Sequence, residues 1–191
     1  MGKIFVLNAP KQCGKDTAAN VLAGNFGFEK AGFKDPMFDM LAASLGMSDA
    51  FGHVMELYET QGWKDTPNNR LGGKTPRDMM IHISENFFKP FFGPDIFGQR
   101  LAEGIMNTEE MFGEVSWVIS DCGFDAEVKA LNEQFPDRVV IVQFEREGFR
   151  DFGDDSRDWV NIQDIPTYKM DTTHTGTDGL VQLILSLNKA V

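Results

Sequence analysis

Lys15, Asp16 and Thr17 carry the clearest chemistry in this sequence because of what surrounds them. Ala9 stands before four residues and the pair Gly14-Lys15; the run follows the apolar stretch Ile4-Phe5-Val6-Leu7 and opens into Ala18, Ala19, Val21 and Leu22, which read as helix. Strand, tight loop, Gly-Lys and helix is the layout of a phosphate-binding loop. Successive backbone N–H groups of such a loop converge on phosphate oxygens, and the helix N-terminus adds its partial positive charge. Gly14 then admits close backbone approach and Lys15 reaches the outer phosphates of a nucleotide. Ala9, Lys11, Gln12, Cys13, Gly14, Lys15, Asp16 and Thr17 are therefore the expected nucleotide-binding residues. The plainer reading is a glycine-bearing βα turn with a solvated lysine. The position after the lysine commonly holds Ser or Thr for Mg²⁺, and here Asp16 stands there with Thr17 next. Mg²⁺ keeps several waters and few protein ligands, so either residue can serve it, and the sequence leaves the choice open.

Asp121 ends the apolar run 115–120 (VSWVIS), the place of an aspartate that holds Mg²⁺ or its water; its plainer role is to start a turn or cap a helix beginning near Asp125. Segment 145–158 (EREGFRDFGDDSRD) carries Arg146, Arg150 and Arg157. Phosphoryl transfer needs positioning and charge neutralisation more than covalent chemistry. Arginines give bidentate phosphate contacts, so a glycine-containing segment with three of them reads as a closing lid over about 146–160, against the alternative of a solvated mixed-charge loop. For an acceptor anion the best residue is Arg77, in the first turn of a well-capped helix. Lys34 with its neighbour Asp35, Lys89 and Arg100 are secondary; each alone is an ordinary surface charge.

The elements that must position these groups alternate between strand and helix. Beyond the first strand and helix come a weak strand at 28–33, a helix at 37–45 stopped by Gly46, and a short helix near Val54 to Tyr58. Segment 64–74 (KDTPNNRLGGK) reads as a mobile loop, whose Lys64, Arg70 and Lys74 would close over an anion or simply be solvated. Thr75-Pro76-Arg77-Asp78 is a helix start with N-cap, N1 proline and capping-box partner; Met79, Met80, Ile83 and Phe87 form its buried stripe, and Pro90 with Gly93-Pro94 ends it. Asp95 caps the next helix, with Phe97, Leu101 and Ile105 inward. Strands follow at 115–120, 138–144 and 167–172, and a last helix at 178–187. This alternation predicts an α/β fold of three layers, with a largely parallel five-stranded sheet between helices. Ligands then sit beyond the carboxyl ends of the strands, where the phosphate loop, Asp121 and Arg146 all fall.

With 191 residues the chain is read as one domain, 42% of its residues are hydrophobic, and its net charge of −11 argues against stable nucleic-acid binding. A small anionic substrate needs only a local cationic pocket. Two cysteines, Cys13 and Cys122, provide no disulfide framework, and no apolar run approaches the ~18 residues of a membrane span; a cytoplasmic protein without a signal peptide is the expectation. His53, His82 and His174 lack metal-ligand spacing.

Several stretches together resemble the phage deoxynucleoside monophosphate kinases of the P-loop kinase superfamily. They are LNAPKQCGKDT, FKDPMFDMLAASLG, KTPRDMMIHISENFFKPFFGPDIFGQRLA, VISDCGFDAEVKAL and MDTTHTGTDGLVQLI. The resemblance implies a thymidylate- or adenylate-kinase-like fold, a helical substrate-binding region at about 34–107, and transfer of the ATP γ-phosphate to a deoxynucleoside monophosphate in the cytoplasm of an infected host cell. It makes Gly-Lys-Asp-Thr a family trait, assigns Lys15 and Thr17 to nucleotide phosphates and metal, and puts Arg77 and Lys89 where the family contacts its monophosphate. The chain departs from the pattern in three places. Phe38 stands where a lysine is usual, with Lys34 nearby as a substitute; Gly123 stands where Asp-x-Arg has its arginine; and Lys89 is the monodentate choice. Two other readings compete: a P-loop kinase for another small acceptor or a modified DNA base, and a catalytically degenerate nucleotide-binding module. The oligomeric state is left open, a homodimer included.

Overall fold

A computed structural model describes residues 1–47, 51–60, 62–153 and 157–189. Among them five strands form one sheet: β1 (Ile4–Asn8), β2 (Glu29–Ala31), β3 (Trp117–Ile119), β4 (Val139–Glu145) and β5 (Thr167–Asp171). Their order is β2-β3-β1-β4-β5, and every neighbouring pair is parallel. Central strands of a parallel sheet are covered on both faces and so read as unbroken apolar runs. IFVLN of β1 and WVI of β3 are buried throughout, whereas the edge strands EKA and TYKMD are largely exposed. The five-stranded parallel α/β fold expected from the alternation is therefore present.

The helices are α1 (Lys15–Phe26), α2 (Phe38–Ser44), α3 (Phe51–Glu59), α4 (Pro76–His82), α5 (Lys89–Phe92), α6 (Ile96–Phe112), α7 (Asp125–Gln134) and α8 (Gly176–Lys189). One sheet face, with Phe5, Leu7, Val118, Val140, Val142 and Phe144, packs on Ala18, Ala19 and Leu22 of α1 and Leu180, Val181 and Ile184 of α8. On the other face Ile4, Val6, Ile119 and Ile141 are fully buried. There Trp117 Nε1 donates to Glu109 of α6 at 2.9 Å. α6 and α7 approach so closely that a Cβ on Gly98 would overlap the Glu127 carbonyl.

The chain divides into two compact units, Met1–Phe33 with Gly98–Val191, and Lys34–Phe97. The first holds the sheet. In the second, Thr75 caps α4 with the full capping box to Asp78 and Pro76 in the first turn, as the sequence predicts. Pro90 does not end that helix. A π-helical stretch, Ile83–Phe88, carries α4 into α5, and the Lys89 N–H donates to Ser84 O five residues back. A proline ring clashes with the carbonyl four residues back and offers no N–H; widening the preceding turn lets the chain pass through Pro90 and stop at Gly93, where φ is 100°. Segment 64–74 is also more ordered than its composition suggests. It holds turns at Trp63–Asp65 and Asn69–Leu71, the second capped by the Asn68 side chain, which accepts from Arg70 N, and Arg70 Nη1 donates to Leu45 O at 2.6 Å.

At the amino edge of the sheet, Arg138 makes a two-pronged pair with Glu109 at 2.7 and 2.8 Å and donates from Nε to Gly2 O at 2.6 Å. This ties α6 to the starts of β1, β3 and β4. The side chains are 8% and 13% exposed, so the pair is costly to break from one side. Hydrogen bonds from Arg138 hold the Glu109 carboxyl below its ordinary range. A lowered folded-state value contributes stability that is complete above the ordinary glutamate pKa of ~4.3 and is lost as pH falls through the lower value. Glu109→Gln is expected to cost about 2–4 kcal/mol in urea unfolding at pH 7, and the difference from wild type should shrink below about pH 4. An equal difference at both pH values would contradict this assignment.

Candidate active site

The parallel sheet brings the ends of β1, β3 and β4 to one edge. β1 leads into Ala9-Pro10, exposed Lys11 and Gln12, buried Cys13 and half-buried Gly14. Gln12 and Gly14 both have positive φ, 65° and 91°, and α1 begins at Lys15 with no side chain capping its first N–H groups. Alternating left-handed residues and an uncapped helix start make a concave array of N–H donors suited to phosphate oxygens. Glycine is needed at 14 for its φ, and a Cβ there would sit 3.1 Å from Thr177 Oγ1 of α8. Lys15 is only 7% exposed; its ammonium lies inside the loop, donating to Ala9 O at 2.5 Å and Pro10 O at 2.7 Å.

Asp16 and Thr17 are exposed on the first turn of α1. The Ser120 hydroxyl, at the end of β3, donates to Asp16 Oδ1 at 2.7 Å, which draws that carboxylate to the strand end carrying Asp121. Asp121 Oδ1 accepts from Phe33 N at 2.9 Å, so this residue also fastens the segment after β2. No group of three or more His, Cys, Asp or Glu suited to a metal is present among the described residues. Two carboxylates with hydroxyl neighbours nevertheless match what Mg²⁺ asks of a protein when phosphates and waters supply the rest.

The segment after β4 is anchored on both sides. Arg146 and Phe149 form an antiparallel bridge, the Arg146 guanidinium lies 4.6 Å from the Phe149 ring centroid, and Cys13 Sγ donates to Phe149 O at 3.5 Å. Arg150 pairs with Glu145 at 3.1 Å and Asp171 at 3.5 Å and is 57% exposed. Phe152 and Trp159 meet edge-on at 5.2 Å, joining the two sides of 154–156, the part of the expected lid outside the described residues. Beyond them a buried amide pair holds the chain. Asn8 Nδ2 donates to Asp158 O at 3.0 Å, Asn8 Oδ1 accepts from Val160 N at 2.9 Å and Gln143 Nε2 at 3.0 Å, and Gln143 Nε2 also reaches Val160 O at 2.7 Å. Arg157 is thereby laid across Gly123, where a Cβ would overlap its stem. Asn8, Ser120 and Gln143 were not predicted as site residues. Their signal is a polar residue closing an apolar run, and Asn8 and Gln143 are register partners on β1 and β4.

The acceptor-side candidates fall into two groups. Lys34, Asp35, Arg77 and Lys89 belong to the 34–97 unit. There Lys34 pairs with Glu59, Arg77 with Asp65 and Lys89 with Glu85. Arg100 lies on α6 in the sheet-bearing unit, 48% exposed and paired with Glu103. Burial raises the thiols of Cys13 and Cys122, so neither is a thiolate at neutral pH. A groove of about 930 Å³ runs beside β5 and is lined by Gln143, Trp159, Val160 and Lys169 among others; none of the predicted site residues lines it.

Comparison with known proteins agrees with this fold. Aligned over its full length, the chain matches a solved sugar kinase from Janibacter sp. HTCC2649 with a TM-score of 0.54 at 13% identity, covering 96% of that chain. The likeness is one of fold: a parallel five-stranded sheet with flanking helices. In sequence, 81 residues are 32% identical to a protein of Acanthamoeba polyphaga mimivirus named "Putative deoxynucleotide monophosphate kinase"; the match takes in 42% of this chain and 39% of that protein. No protein-family model matches. Among the described residues no helix is long and apolar enough to cross a membrane.

The amide pair makes a direct prediction. Asn8→Ala leaves the Gln143 amide and the Val160 N–H short of a buried partner, so it should cost about 1–3 kcal/mol in urea unfolding and speed hydrogen exchange at Val160. Unchanged exchange at Val160 would mean that the segment is held by other contacts.

Proposed function

We propose that this chain is a P-loop kinase that transfers the γ-phosphoryl group of ATP to a deoxynucleoside monophosphate. The observation that carries the reading is the loop itself: Lys15 held inside a positive-φ cradle at the start of an uncapped helix, on the sheet edge that also carries Asp16, Ser120 and Asp121. The acceptor class is supported by the name of the mimiviral relative and by the motif resemblance.

On this reading the N–H groups of 11–17 and the Lys15 ammonium hold the β- and γ-phosphates. Mg²⁺ would be held by Asp16, Thr17 and Asp121, wholly or through water, and when bound it neutralises phosphate charge. An oxygen of the acceptor phosphate forms a bond to the γ-phosphorus as the bond to the β,γ-bridging oxygen breaks, and ADP leaves. The acceptor is already an oxyanion, so no general base is required. Arg146, Arg150 and Arg157 compensate charge on the equatorial oxygens and limit water access. Arg77, with Lys34, Asp35, Lys89 and Arg100, serves the acceptor.

The test is ADP production from ATP·Mg²⁺ with each deoxynucleoside and ribonucleoside monophosphate in turn. Turnover with at least one deoxynucleotide is expected, and Lys15→Ala should lower it by on the order of 10²-fold or more with the circular dichroism spectrum unchanged. ATP binding without ADP formation from any monophosphate would reject the acceptor class, and full activity in Lys15→Ala would reject the mechanism.

A further inference from the structure

Ser120 follows the last residue of β3 and is 4% exposed. A buried hydroxyl needs a partner. This one reaches neither a local carbonyl nor a helix cap. It donates to Asp16 Oδ1 at 2.7 Å, across 104 residues of sequence. Parallel pairing of Ile119 with Val6 brings the end of β3 beside the strand that feeds the phosphate loop, so the sheet itself builds the contact. Among the described residues it is the one hydrogen bond that the Asp16 carboxylate accepts. Thr17 is equally exposed, and among the described residues nothing bonds to its hydroxyl. Of the two residues after Lys15, Asp16 is the one that a buried neighbour orients.

Stability alone gives little reason for this arrangement. An alanine at 120 would complete the apolar run with no hydroxyl to satisfy. An aspartate in the first turn of a helix is favourable whichever rotamer it adopts, and fixing one rotamer costs side-chain entropy. The carboxylate also stands next in sequence to the lysine of a phosphate loop, where a fixed negative charge repels phosphate. A divalent cation shared between carboxylate and phosphate turns that repulsion into attraction.

We infer that Ser120 is a positioning residue: its hydroxyl fixes the Asp16 carboxylate by one oxygen and leaves the other to the divalent ion that accompanies the nucleotide. This rests on the nucleotide-binding part of the function proposed above and is independent of the acceptor class. No motif marks Ser120, and its effect is exerted through Asp16.

Calorimetric binding of a non-hydrolysable ATP analogue to the full chain, once in Mg²⁺ and once in EDTA, tests this without turnover. The wild type should bind more tightly in Mg²⁺. Ser120→Ala should reduce that Mg²⁺ advantage about tenfold while the Kd in EDTA stays where it was, and Ser120→Thr, which keeps the hydroxyl, should retain most of it. Asp16→Asn should also lose the advantage, and adding Ser120→Ala to it should lose nothing more, as for two residues acting in series. Ser116→Ala, which removes a hydroxyl bonded to Asn188 at the other end of the strand, should leave both Kd values unchanged. Equal losses in Mg²⁺ and EDTA for Ser120→Ala, or additive losses in the double variant, would make Ser120 a structural residue and overturn the inference. A wild type that binds equally well with and without Mg²⁺ would overturn it alone. No binding in either condition would reject the nucleotide reading together with it.

Discussion

The hydrogen bonds between Asn8 and Gln143 govern how the candidate site is assembled. Two polar side chains close apolar strands at the centre of the sheet, 0% and 5% exposed. An amide buried there without partners would destabilise the fold by several kcal/mol, up to ~7 by the harsher transfer scales. Each is satisfied by the other and by the backbone of 122 and 158–160. One interaction thus joins the strand that feeds the phosphate loop, the strand that feeds the arginine segment, and the chain that returns from it. The phosphate loop can be irregular in φ because its entry is fixed by β1 and its exit by α1.

Charge is arranged locally against an acidic background. Most described cations near the candidate site lie beside a carboxylate or a carbonyl rather than in open solvent. Lys15 lies on two loop carbonyls and Arg150 beside Glu145 and Asp171. Such pairs hold a cation in place at little cost because exposed ion pairs contribute little, and a phosphate with stronger charge can exchange for the carboxylate. Arg138 differs. Its pair with Glu109 is nearly buried and lies at the opposite edge of the sheet, where it is structural.

The parts legible in the sequence are those whose physics is local. The apolar runs of β1, β3 and β4, the Thr75–Asp78 capping box and the Gly-Lys loop each depend on neighbours within a few residues. Pro90 was misread because a proline normally ends a helix, whereas here a π turn precedes it and the Lys89 N–H still finds the Ser84 carbonyl. The order in 64–74 was missed because an Asn cap acts through geometry, not hydropathy. Asn8, Gln143 and Ser120 were not singled out because their partners are more than 100 residues away in sequence.

Two departures from the motif that the sequence resembles take on a different meaning in space. Phe38 occupies a position where a lysine is usual, and the ammonium of Lys34 lies 6.0 Å over that same ring. Gly123 occupies a position where an arginine is usual, and the stem of Arg157 lies against it so closely that no Cβ would fit. In each case another side chain lies against the altered position: an ammonium over an aromatic face at Phe38, an arginine stem on a bare backbone at Gly123. A motif scored position by position counts both as losses. A site is defined by where groups stand in three dimensions, so neither substitution can be weighed from its own position alone.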